Sequence, residues 1–216
     1  MTQIIVFDTG TGGKIFADHF RQEIPGIKII EVIDSANAPY GSKTQAEIIT
    51  LTEQVLAPYL DNPENFIILA CNTATACAIE HLRTKYPLQR FIGTEPGIKP
   101  ATQLTKNSRI ISLATPATIH SRRYQDSKAN FASHVTIYEP DCSNWGQLID
   151  HGALTPEIIS ATLAPYQQHH PDTIVLGCTH YLAIPPQIFT NLFPGTTIYS
   201  PLPAVTTFIK SLLPQQ

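Results

Sequence analysis

What most restricts the fold of this chain of 216 residues is a repeated alternation of short, apolar, β-branched runs with longer amphipathic stretches. Runs at 4–7, 28–33, 66–69, 90–92, 110–114, 135–138, 173–176 and 197–199 read as strands. Helical patterns fill most of the gaps, most clearly over 14–22, 42–60, 75–85, 156–168 and 204–213. Strand-then-helix repetition predicts parallel pairing, because parallel neighbours need a crossover and a helix is the economical one. Several runs are apolar on both faces, as burial between helix layers requires. The fold class read from the sequence is therefore α/β.

The alternation is also organised in two halves. Phe66-Ile67-Ile68-Leu69-Ala70-Cys71-Asn72-Thr73-Ala74-Thr75-Ala76 and Thr173-Ile174-Val175-Leu176-Gly177-Cys178-Thr179-His180-Tyr181-Leu182-Ala183 share one plan: apolar strand, small residue, Cys, polar residues, then a helix start. The copies lie about half the chain apart. They predict two pseudosymmetric lobes, each a mostly parallel sheet flanked by helices, with the active site in the cleft between them. Ligands of open α/β sheets bind outside the C-terminal strand ends, where each copy places its Cys. The first lobe is expected over 1–96 and the second over 97–199, with 200–216 returning to the first.

Charge narrows the partners. Charged residues make up 14% of the chain, well below the roughly 25% of an average soluble protein. The formal net charge is -3, and basic residues are scattered apart from the pair Arg122-Arg123. Neither nucleic acid nor a membrane surface is expected as a main partner. No apolar run approaches the roughly 18 residues of a membrane span. The first strand begins so near the start that no signal peptide is expected, which points to the cytoplasm. The four Cys (71, 77, 142 and 178) are then expected reduced, and no CxxC pair suggests zinc or a redox site.

Asp8-Thr9-Gly10-Thr11-Gly12-Gly13-Lys14 sits between the first strand and the first helix. It lacks the first Gly and the final hydroxyl of a phosphate-binding P-loop and the third Gly of a dinucleotide fingerprint. An Asp-Thr-Gly protease turn would need a second carboxylate on an all-β scaffold. Two readings stay open: a turn whose Asp caps the helix, or one whose carboxylate and amides face the crevice. Cys71 and Cys178 each precede polar residues at an expected helix N-terminus, where the helix dipole should lower the thiol pKa and favour thiolate. Cys77, inside a helix, and Cys142, in a turn, read as structural. His180 is either a satisfied loop residue or a proton partner for Cys178. His169-His170 read as a solvated helix end without the companions of a metal set.

Taken together, the ordered blocks resemble the glutamate racemases of the aspartate/glutamate racemase superfamily. The blocks are Phe7-Asp8-Thr9-Gly10-Thr11-Gly12-Gly13, Asp34-Ser35 with Pro39-Tyr40-Gly41, Ala70-Cys71-Asn72-Thr73-Ala74, Gly93-Thr94-Glu95-Pro96-Gly97-Ile98-Lys99-Pro100-Ala101, Leu113-Ala114-Thr115-Pro116-Ala117-Thr118 and Gly177-Cys178-Thr179-His180-Tyr181. The resemblance implies glutamate as a small-molecule substrate, interconversion of its L and D forms without cofactor or metal, a supply of D-glutamate for peptidoglycan, and a homodimer. It also implies that Cys71 deprotonates D-glutamate and Cys178 L-glutamate, with Asp8 assisting Cys71 and His180 partnering Cys178. Substrate-binding positions carry over to Asp8, Thr9, Tyr40, Gly41, Asn72, Thr73, Thr118, Thr179 and His180.

The chain departs from the family pattern in places. Thr9 replaces the usual Ser, Leu182 the usual Pro, and Tyr199 a frequent Asp. Asp150 stands where a catalytic Glu is usual, one methylene shorter. Two rivals remain: a racemase of aspartate or a related acid, against which Thr75 and His180 stand, and a catalytically silent ligand-binding relative, against which both intact thiol blocks stand.

Overall fold

The computed structural model describes residues 2–95 and 97–213. Pro96, at the expected lobe boundary, and 214–216, at the end of the expected returning segment, lie outside the described residues. The first half of the chain forms β1 (Gln3–Asp8), α1 (Thr11–Glu23), β2 (Lys28–Ile33), α2 (Gln45–Leu56), β3 (Phe66–Leu69), α3 (Asn72–Lys85) and β4 (Arg90–Gly93). The second half forms α4 (Ile98–Leu104), β5 (Arg109–Leu113), α5 (Pro116–Ile119), α6 (Arg122–Phe131), β6 (Thr136–Tyr138), α7 (Trp145–Asp150), α8 (Pro156–Leu163), β7 (Thr173–Leu176), α9 (Pro186–Leu192), β8 (Thr197–Tyr199) and α10 (Leu202–Leu212). The strands make two four-stranded sheets, ordered β2-β1-β3-β4 and β6-β5-β7-β8, with every neighbouring pair parallel. The same order occurs twice, which is the pseudosymmetry written in the repeated Cys blocks.

Each sheet is buried on both faces because successive side chains point to opposite sides. In the first, Ile5, Phe7, Ile67 and Leu69 face α2 and α3, while Ile4, Val6, Phe66 and Ile68 face α1. The last helix closes that second face: Val205 and Ile209 of α10 pack with Phe16 and Phe20 of α1, and Lys210 Nζ donates to Glu23 at 2.6 Å. In the second sheet Ile111, Leu113, Ile174 and Leu176 share a core with Trp145, Ile159 and Phe189. Leu182 packs against both lobes' cores. None of the described helices is long and apolar enough to cross a membrane.

Candidate active site

Both sheets end at one cleft of about 1060 Å³. Cys71 lies two residues beyond β3, and Cys178 two residues beyond β7, the third strand of each sheet. The residue before each Cys makes the same bond to the neighbouring strand: Ala70 N–H donates to Phe7 O at 2.9 Å and Gly177 N–H to Leu113 O at 2.7 Å. Pseudosymmetry thus delivers one thiol from each lobe to the same cavity, and both line it.

Their local settings differ. Cys71 is the N-cap of α3, its Sγ accepting from Ala74 N–H at 3.5 Å. Cys178 precedes a 3-10 turn over Thr179–Ala183 and not an α-helix. The expectation of lowered thiol pKa values is corrected on both sides. Burial, reinforced by the negative charge of Asp8, pushes Cys71 up to about 12 against the N–H groups of Ala74 and Thr73. Burial and then the charge of Cys71 push Cys178 well up. The helix terminus acts as expected on Cys71, but desolvation outweighs it. Two neutral thiols are therefore the resting pair, and ionising one disfavours ionising the other.

Asp8 is buried beneath the first Gly-rich turn, where its Oδ1 accepts from Thr9 N–H at 2.6 Å and Gly10 N–H at 3.0 Å. Its Oδ2 accepts from the hydroxyl of Thr179, in the opposite lobe, at 2.7 Å. Burial raises this carboxyl, and the three hydrogen-bond donors pull it back only in part. Asp8 acts on Cys71 through space, since its oxygens are taken by these partners.

On the other side His180 Nδ1 stands 3.6 Å from Cys178 Sγ, and its Nε2 stands 3.1 Å from Asp150 Oδ2. Asp150, the last residue of α7, reaches His180 despite its short side chain. Its other oxygen accepts from the hydroxyl of Thr11 at 2.6 Å and from Thr11 N–H at 3.1 Å. Burial works against ionisation of Asp150, but its hydrogen bonds to Thr11 and His180 prevail and its carboxyl is lowered. This lobe contact needs glycine: a Cβ at Gly10 would lie 2.3 Å from His180 Nε2, and one at Gly12 2.3 Å from Thr179 Cβ.

Thr9, Tyr40, Gly41, Asn72, Thr73 and Thr179 line the cleft. Asn72 accepts from the Thr94 hydroxyl at 2.5 Å, while its buried Nδ2 has no hydrogen-bond partner among the described residues. Tyr40 donates to Asp34 at 2.6 Å, so its hydroxyl is already committed. Thr118 lies one layer back: its hydroxyl stands 3.3 Å from that of Thr73 and 3.1 Å from that of Thr115, and Thr115 is the one lining the cavity. Sequence reasoning misses Thr11 and Thr115 as site residues. The only signs it offers are a hydroxyl among glycines at Thr11 and a Thr-Pro helix start at Thr115. The described lining holds no Lys or Arg, and no group of three His, Cys, Asp or Glu among the described residues is placed to hold a metal.

A family model for Asp/Glu/Hydantoin racemase matches residues 15–208. A glutamate racemase of Sulfurovum sp. (strain NBC37-1) is 40% identical over 183 residues, covering 82% of this chain and 69% of that one. The chain belongs to the glutamate racemase family. It is, accordingly, an amino-acid racemase. Among solved members, Escherichia coli glutamate racemase in complex with L-glutamate and the activator UDP-MurNAc-ala superposes with a TM-score of 0.87 at 27% identity, covering 98% of this chain and 82% of that one. The glutamate racemase of Francisella tularensis in complex with D-glutamate gives 0.83 at 26%, covering 98% and 81%. Both share the two-lobed α/β fold of this glutamate racemase family member.

Proposed function

We propose that the cleft interconverts L- and D-glutamate by a two-base route in which Cys71 and Cys178 flank the α-carbon. Inversion requires a proton to leave one face and another to arrive on the opposite face, so two acid/base groups must stand on either side. The observation that carries the reading is the delivery of one thiol from each sheet, at equivalent positions, to one cavity. Their mutual repulsion as thiolates suits this chemistry, because one is the base while the other stays protonated as the acid. Cys71 takes the proton of D-glutamate and Cys178 that of L-glutamate, and each returns a proton in the opposite direction.

The substrate's carboxylates meet donors without fixed cations: Asn72 Nδ2, the Thr73 and Thr115 hydroxyls, and N–H groups at the start of α3. Asp8 supplies the buried negative charge that a substrate ammonium needs. Its anionic form is costly without a counter-ion and is stabilised when the ammonium arrives. The reading assigns no step to a cofactor or metal, and it includes a role in supplying D-glutamate for peptidoglycan. A homodimer is part of the proposal; light scattering at rising concentration checks it, and an unchanging monomer mass rejects it.

The test is proton–deuterium exchange at Cα of each glutamate enantiomer in heavy water, followed with optical rotation. Exchange and racemisation are expected with glutamate, unaffected by chelator or by a carbonyl reagent. Loss of activity on either treatment, restored only by added cofactor, would reject the two-thiol route. Equal rates with aspartate would reject the substrate.

A further inference from the structure

The Cys178 side of the cleft is not self-contained. His180 and Asp150 belong to the second lobe, yet Asp150 is held by the first residue of a helix in the first lobe. The N-cap of α1, Gly10, offers no side-chain cap. Asp150 takes that place from across the cleft, its Oδ1 accepting both the backbone N–H and the hydroxyl of Thr11. The carboxylate thus sits at the positive end of α1 with its second oxygen turned to His180. Gly10 leaves room for this, because a Cβ there would also lie 2.6 Å from Asp150 Oδ2.

We infer that Thr11 is a positioning residue for Cys178, acting through Asp150 on the tautomer of His180; the inference rests on the two-thiol reading for its kinetic arm only. A carboxylate only accepts, so the contact to Oδ2 requires His180 to donate through Nε2. In the neutral ring, Nδ1 is then the acceptor, and it is the nitrogen that faces Cys178 Sγ. The opposite tautomer would present an N–H to the thiol and could not take its proton. Side-chain exposure of 31% at Asp150 means that water competes for its oxygens. The two bonds from Thr11 keep one oxygen occupied and the other aimed. The hydroxyl is the stronger of the two by distance, and it is the one a substitution can remove. Both lobes must be docked for the chain Thr11–Asp150–His180–Cys178 to be complete, which couples lobe contact to the competence of one thiol.

The experiment compares Thr11→Val and Thr11→Ser with the unsubstituted protein, with Thr11→Ala replacing Thr11→Val where that variant does not fold. The first readout is nitrogen NMR of histidine-labelled protein without substrate, His180 being assigned by His180→Asn. His180 is expected as the Nε2–H form in the unsubstituted protein and in Thr11→Ser, and as a mixture with Nδ1–H in Thr11→Val. The second readout is kinetic. Losing a hydrogen bond to a charged group should lower kcat/KM about tenfold, equally in both directions because the enantiomers have the same free energy. The transition state at Cys178 becomes more limiting, so the isotope effect with 2-deutero-L-glutamate rises while that with 2-deutero-D-glutamate falls. Thr11→Ser restores both. A purely structural loss would leave the two isotope effects moving together. Thr11→Val with an unchanged His180 tautomer overturns the inference, as do unchanged or parallel isotope effects. If the unsubstituted protein neither exchanges nor racemises glutamate, the functional reading fails while the tautomer arm still decides the role of Thr11.

Discussion

At the residue scale the proposed route divides the reaction between the two thiols, and their removal should divide it visibly. In Cys71→Ala, Cys178 remains to exchange the α-proton of L-glutamate with solvent, but no acid stands on the far face. Racemisation is expected to fall by about a thousandfold or more, with residual exchange confined to L-glutamate. Cys178→Ala should show the mirror pattern, with exchange confined to D-glutamate. Cys77→Ala, in a helix and only partly buried, should racemise normally. Racemisation at the unsubstituted rate by either active-site variant, measured by circular dichroism of the amino acid, would refute the assignment.

Asp8 carries a different kind of prediction because its carboxyl is raised above the usual 3.8 by complete burial. A group whose folded pKa is raised destabilises the native state once ionised, so its contribution becomes more favourable as pH falls through the folded value towards 3.8. Asp8→Asn keeps an oxygen for Thr9 and Gly10 and removes the buried charge. The variant should melt about 2–4 °C higher at neutral pH, corresponding to about 1 kcal/mol, and should lose the gain that the unsubstituted protein shows on mild acidification. Its racemase activity should be largely lost. A variant that melts lower at neutral pH would contradict burial as the dominant influence on Asp8.

Residues such as Cys71 and Cys178 are legible in the sequence because their blocks repeat. Their ionisation is not. A dipole argument sees only neighbours along the chain, whereas the desolvation that wins here comes from tertiary packing, with Cys71 set in the first lobe's core and Cys178 in the second's. The partnership of Thr11 with Asp150 is hidden for the same reason, since it joins residues whose proximity depends on how the lobes dock.

At the element scale the strands are the clearest part of the sequence. β2, β3, β7 and β8 coincide with their β-branched runs; the central β3 and β7 are buried at every residue, whereas β2 and β8, at the sheet edges, are only partly buried. Helix boundaries are less legible. α3 begins at Asn72 and not near 75, since a Cys serves as its N-cap, which propensity does not favour. The single helix expected over 42–60 is α2 flanked by 3-10 turns, its start fixed by a capping box between Thr44 and Glu47. α6 escapes the sequence reading because it is polar almost all round, with Tyr124 its one buried residue. α7, which carries Asp150, is only six residues long, too short for a helical period to show. The most informative element to perturb is α10, which comes last in sequence yet closes the first lobe. Ile209 is fully buried there. Ile209→Ala should cost about 3 kcal/mol and lower Tm by about 6–12 °C. Leu88→Ala, at 81% exposure, should leave Tm nearly unchanged and serves as the control. An Ile209→Ala variant as stable as that control would mean that α10 contributes little to first-lobe packing.

At the scale of the whole molecule, two sheets with separate cores are joined where the first Gly-rich turn meets the 179–183 turn. The junction includes two hydrogen-bonded crossings, Thr179 to Asp8 and Thr11 to Asp150, and the apolar bridge of Leu182. Substrate between Cys71 and Cys178 would add further ties, so its binding free energy should stabilise both lobes together. The measurement is best made in Cys71→Ala, which holds each enantiomer unconverted. At a glutamate concentration about 100 times Kd, linkage contributes about 2.7 kcal/mol, or about 5–11 °C in Tm for a chain of this size. The single Trp, Trp145, is buried against Tyr181 with ring centroids 5.5 Å apart and reports on the second lobe, while far-ultraviolet circular dichroism reports on both. L- and D-glutamate are each expected to raise the two melts to the same extent, because a site that inverts its substrate must hold either hand, and the melts should stay coincident. A shift in Trp145 fluorescence without a matching shift in the dichroism would show that the ligand grips one lobe only, and a cleft gripped from one side could not present two bases to one carbon.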